Sequence, residues 1–99
     1  KKPASERLGP EFTHGGSHAG LYETSLMMAA APEWVTESIR ATLPDLPIDL
    51  PAAIKKGARS FEECGGKDAY FGAPAQATAQ EGERLLEVLA ELSEAALIA

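Results

Sequence analysis

Two histidines stand four positions apart in His14-Gly15-Gly16-Ser17-His18-Ala19-Gly20-Leu21-Tyr22-Glu23-Thr24-Ser25, and they are the only two in the chain. Small residues surround them, so backbone and a bound group can approach closely. Glu23 falls where a helical pattern begins. A carboxylate in a helix's first turn is stabilised by the exposed N–H groups and the dipole, the state in which it serves as a metal ligand. Imidazole and carboxylate together can bind zinc or manganese, or run general acid–base chemistry. On one continuous helix, residues five apart lie on different faces. His18 and Glu23 therefore converge only if His18 sits in the Gly-containing loop and Glu23 on the helix. Two donors do not make a metal site, since zinc takes at least three from protein. Taken alone, these residues favour a blander reading, a solvent-facing histidine loop ahead of a helix.

The elements that must position this stretch are partly legible. Residues 1 to 17 contain glycine and proline without clear periodicity and read as loop. Thr24 to Ala31 holds good helix formers and no breaker until Pro32, which then opens a second helical turn at Pro32-Glu33-Trp34-Val35. Trp34, Val35 and Ile39 are expected to form that turn's buried edge. Prolines 44, 47 and 51 preclude a regular helix over residues 42 to 51 and leave Leu43, Leu46, Ile48 and Leu50 for packing. A short helix is expected over 51 to 58, ending at Gly57. Gly65-Gly66-Lys67-Asp68 reads as a turn, and Ala69-Tyr70-Phe71-Gly72 as a short strand or extended arm. Thr78-Ala79-Gln80-Glu81 has capping-box spacing. Leu85, Val88, Leu89, Leu92 and Ala96 then recur at helical intervals, predicting a helix over about 78 to 97. Its acidic row, Glu83, Glu87, Glu91 and Glu94, reads as a solvated face. The helix is expected to pack on something larger than this chain provides.

Composition narrows the function classes. The net charge is −6, from 15 acidic against 9 basic residues, and the basic residues are scattered. Nucleic-acid binding, which needs clustered Lys and Arg, is not expected. No apolar run reaches a membrane span, and no apolar stretch follows the first seven residues, so no signal peptide and no membrane are expected. A single cysteine, Cys64, permits no intrachain disulfide and suits the cytoplasm. Glu62 and Glu63 flank it, a poor setting for a thiolate nucleophile. Met27 and Met28 read as core filler. Ninety-nine residues with a 44% hydrophobic share make one domain at most, with a modest core.

The run His18-Ala19-Gly20-Leu21-Tyr22-Glu23-Thr24-Ser25-Leu26-Met27-Met28, followed by Ala31-Pro32-Glu33-Trp34-Val35, resembles the creatininase (creatinine amidohydrolase) family. That family shows a His-Ala/Gly-Gly, two variable residues, Glu-Thr-Ser-Leu-Met, and then a Pro-Glu-Leu-Val-like turn. Phe71-Gly72-Ala73-Pro74-Ala75-Gln76-Ala77-Thr78-Ala79 and the helix after it resemble the family's closing segment. The resemblance covers roughly residues 10 to 98. Trp34 stands where the family often has Leu.

The resemblance implies an α/β fold for the full enzyme, a three-layer sandwich around a mainly parallel sheet. This chain alone would be mostly helical, with loops and at most a few short strands. It implies a two-metal site, zinc or manganese, at which metal-activated water hydrolyses a cyclic or linear amide of a small molecule. It makes Glu23 a metal ligand and His18 the catalytic histidine that passes a proton to the leaving nitrogen. Tyr22 and Ser17 would line the substrate pocket. His14 matches no family position and reads as an exposed loop histidine. The family's other ligands come earlier: a Glu-x-His segment, an Asp, and a His in an Asn-Gly-His turn. None is here, and the chain contains no asparagine. The expectation is a carboxy-terminal part or truncated form of such an enzyme, inactive alone, working as a homo-oligomer or with a missing amino-terminal half. The other reading is a non-enzymatic interaction module or split-enzyme subunit docking through its final amphipathic helix.

Overall fold

The computed structural model of the chain describes residues 4–14 and 17–98. The side chains of Ala4, Ser5, His14 and Leu50 also lie outside the description. Among the described residues, six α-helices occur in the order α1 (Ala4–Arg7), α2 (Pro10–His14), α3 (Leu21–Ala30), α4 (Glu37–Arg40), α5 (Leu50–Lys55) and α6 (Ala79–Ile98). Single 3₁₀ turns lie at Pro32–Trp34 and Pro74–Gln76. Among the described residues there is no sheet. Two isolated antiparallel bridges, His18 with Phe71 and Leu46 with Gly72, are the only extended pairings. The mostly helical chain expected above is what forms; the three-layer sandwich of a full enzyme is not contained in it.

Helix α6 begins as its capping spacing predicts. The Glu81 N–H donates to the Thr78 hydroxyl at 3.0 Å, satisfying one of the orphan donors of the first turn. The reciprocal half of the box does not form. The Thr78 N–H donates instead to Ser25 Oγ at 3.2 Å, and the Glu81 carboxylate turns to Arg84. Gly82, Leu85 and Val88 form the buried face, with Leu89 and Leu92 half-buried beside it. Ala96, expected on that face, is exposed. The partner is α3, pressed so close that Ser25 is fully buried. Helix α3 ends at Ala31, where Pro32 forbids continuation and the Ala31 N–H closes on Met27 O at 2.7 Å.

Three expectations are corrected. Residues 4 to 14 are not plain loop but two short helices, because Leu8 between them packs onto Leu85 and Val88 at 3% exposure. The anchorage is polar as well. Arg84 donates to Arg7 O at 2.7 Å and Arg7 to Glu91 at 2.6 Å. Second, the Pro32 turn presents no buried edge. Trp34 is 78% and Ile39 58% exposed, since no element among the described residues covers them. Third, His14 closes α2 rather than sitting in loop; its side chain and Gly15-Gly16 lie outside the described residues. The extended arm at 70–72 does form, and the proline-rich connection supplies Leu46 as its pairing partner. Tyr70, buried against that connection, donates its hydroxyl to Pro44 O at 2.7 Å. Burial first, then Asp68 and Asp45, push its phenol pKa upward. Short α5 forms near the expected place, and the Asp49 side chain accepts the Ala52 N–H at 3.1 Å.

Two ion pairs within single helical turns, Glu37 with Arg40 and Glu81 with Arg84, give a pH prediction. In each, hydrogen bonding to the guanidinium holds the carboxyl below its ordinary value of 4.5. A folded-state pKa below the unfolded one adds stability above the ordinary value and loses it as pH falls through the lowered one. Melting temperature should therefore be flat above pH 5 or so and decline below about pH 4.5, with Arg84→Gln making the decline shallower. The effect is small because solvent reaches the Glu37 carboxylate and both members of the Glu81–Arg84 pair. A series of thermal melts between neutral pH and acid checks it.

Candidate active-site loop

Residues 17 to 23 pass from an extended segment into α3, and their backbone geometry is settled by contacts from three directions. His18 pairs with Phe71 through both backbone bonds: Phe71 N–H to His18 O at 2.8 Å and His18 N–H to Phe71 O at 3.1 Å. Ala19 adopts φ +51°, a left-handed conformation uncommon for a residue with a Cβ. It is held there from both sides. Its N–H donates to Glu23 Oε1 at 2.7 Å, and its carbonyl accepts from the Thr24 hydroxyl at 3.1 Å. This turn brings His18 over Glu23, with Nδ1 4.0 Å from Oε1. The two side chains are about half exposed, at 51% and 53%. The loop-to-helix convergence expected for this pair is thus the observed one.

The His18 ring stands edge-to-face on Phe61, with centroids 4.9 Å apart, and Phe61 stands likewise on buried Phe71 at 5.4 Å. Gly66 lets Phe71 in: a Cβ there would lie 2.4 Å from the Phe71 ring. The imidazole plane is therefore set by an aromatic stack that runs into the core. An open trough of about 560 Å³ leads from Ala19 and Glu23 past Met27, Trp34 and Ile39 to Tyr70.

Of the sequence-predicted site residues only Glu23 lines that trough; His18 stands beside Glu23 at its edge, and Ser17 and Tyr22 do not line it. Ser17 borders a second cleft of about 340 Å³ with Glu11, Asp45 and Gly72. Tyr22 packs against the Leu8–Leu85–Val88 core and lies 5.4 Å, centroid to centroid, from Phe12. Burial, and secondarily Glu23, raise its phenol pKa. Sequence reasoning missed Glu11. Its carboxylate accepts N–H bonds from Leu21 at 2.9 Å, Tyr22 at 3.0 Å and Ala73 at 2.9 Å. A glutamate ten residues ahead of a helix gives no local capping signal.

Among the described residues no group of three His, Cys, Asp or Glu side chains is placed to hold a metal ion. The Glu23 oxygen nearest His18 is also the one already bonded to the Ala19 N–H. What the pair offers is a half-exposed imidazole, leaning on Phe61, beside a carboxylate: the two group types of general acid–base chemistry. Among the described residues no helix is long and apolar enough to cross a membrane.

Comparison with known families matches residues 1–97 to the family model Creatininase, described as creatinine amidohydrolase. No curated protein and no solved structure matches.

Proposed function

Because this chain belongs to the creatininase family, we propose that it is the carboxy-terminal part of a metal-dependent amidohydrolase acting on a small cyclic or linear amide. The observation that carries the reading is the His18–Glu23 pair on a turn held from both sides. In the complete enzyme His18 gives a proton to the amide nitrogen as it leaves, its ring held at a constant angle by Phe61. Glu23 is the metal donor of this segment, and the trough beside it receives the substrate. Ser17 lies at the neighbouring cleft and Tyr22 backs the loop from the core. Companion donors for zinc or manganese come from an amino-terminal half carrying the family's other ligands, with the assembled enzyme working as a homo-oligomer.

The test is direct. The pure 99-residue chain, dialysed against zinc or manganese, should retain no stoichiometric pair of ions and should hydrolyse neither creatinine nor formamides. Tight binding of two ions with turnover by the monomer would overturn the proposal.

A second reading has its own observation. Leu97 and Ile98 are 87% and 77% exposed at the end of α6, as in a module that docks through that helix without catalysis. Size-exclusion chromatography of the chain with and without residues 95–99 separates the two. Loss of self-association without residues 95–99 supports docking.

A further inference from the structure

We propose that Glu11 is the positioning residue of the site: its one carboxylate sets where His18 and Glu23 stand relative to each other. This rests on the reading of that pair as the working groups. Its own support is geometric. Oε1 accepts from Tyr22, and Oε2 accepts from both Leu21 and Ala73. Leu21 and Tyr22 open α3, so Glu11 fixes the helix that carries Glu23 and satisfies two of its orphan donors. Ala73 continues the arm whose Phe71 pairs with His18. Glu11 thus reaches Glu23 through the first residues of α3, and His18 through Ala73 and then the Phe71–His18 backbone pairing; its bonds to Leu21 and Ala73 span 10 and 62 residues of sequence.

The surroundings are shaped to admit this carboxylate. A Cβ on Gly20 would lie 2.5 Å from Oε1, and a Cβ on Gly72 would lie 2.5 Å from Oε2. Both glycines are therefore required where they stand, and Gly72 has φ +114° besides. Neither glutamine nor aspartate can replace the glutamate fully. Glutamine offers one acceptor oxygen and turns an NH₂ toward an N–H donor. Aspartate is a methylene short of spanning two segments.

The test is Glu11→Gln and Glu11→Asp in the full chain, read by amide hydrogen exchange and NMR without metal or substrate. In Glu11→Gln, exchange at Leu21, Tyr22 and Ala73 should quicken by about tenfold or more, the loss of a charge-assisted bond. The His18 ring protons should lose the ring-current shift that Phe61 imposes, and the Ala19 amide should move upfield as its bond to Glu23 breaks. Methyl shifts of Leu85 and Val88 should stay in place. Glu11→Asp should fall between, retaining part of the His18 shift. Unchanged His18 and Ala19 signals in both variants would overturn the proposal. So would core methyls that move together with them in Glu11→Asp, since Glu11 would then anchor the whole fold. Because no readout involves metal or turnover, the proposal stands or falls separately from the amidohydrolase reading.

Discussion

Gly82→Ala should unfold most of this chain's cooperative structure, lowering stability by about 3 kcal/mol, at the top of the range for overpacked interiors. A Cβ at position 82 would lie 1.8 Å from Ser25 O, 2.6 Å from Ser25 C and 2.8 Å from the Ala29 Cβ. The first two are backbone atoms of α3, so no side chain can swing aside. To reach an ordinary carbon–oxygen contact of roughly 3.3 Å, the helices must separate by about 1.5 Å. That separation opens the layer where Leu85 and Val88 are 0% and 4% exposed, and it strains the Thr78 N–H bond to Ser25 Oγ. Alanine's better helix propensity returns only about 1 kcal/mol. For a chain of this size each kcal/mol corresponds to about 4–8 °C in melting temperature. Thermal melts and urea midpoints should show the drop, with exposed Glu83→Ala close to neutral as the comparison. A Gly82→Ala protein that melts within a few degrees of the parent would mean that α3 and α6 do not meet at these residues.

The same contact explains which parts of the fold were legible in the residues. Helix α6 announced itself because period, cap and acidic face agree over twenty residues. The end of α3 was equally plain, since Pro32 acts locally. Helices α1 and α2 were not legible: four or five residues carry no period, and they owe their place to α6 passing over Leu8. Trp34 was misjudged for the opposite reason. Its apolar bulk argues for burial, but burial needs a covering element, and the described residues supply none at that position.

The site divides in the same way. The convergence of His18 and Glu23 could be anticipated from the glycine before a helix start, because the requirement is local. Glu11 could not, because its three partners are separated from it by 10, 11 and 62 residues. What selects Glu11 is the absence of Cβ atoms at Gly20 and Gly72, a long-range constraint in which single glycines look like ordinary turn residues. The missing donors are a different matter, a question of inventory. Two histidines in the entire chain bound what any folding of it can present.

That inventory leads to the second large effect. Supplying the absent donors in a companion polypeptide carrying Glu-x-His, Asp and Asn-Gly-His segments should restore amide hydrolysis to this chain. In the restored enzyme His18→Ala should lower kcat by about 10²–10⁴-fold, the usual worth of a positioned proton donor. Metal content should stay unchanged, because in the proposed mechanism the imidazole acts on the leaving group. Glu23→Gln should do the reverse in order: metal content falls first, and activity falls with it. The two variants thereby separate the roles that a 4.0 Å approach alone leaves joined. Phe61→Leu is the graded case, since it keeps the imidazole and removes the ring that aligns it. It should lower kcat with KM nearly unchanged, because alignment matters in the transition state more than in binding. If His18→Ala instead strips the metal and spares the rate per bound ion, the assignments of His18 and Glu23 must be exchanged.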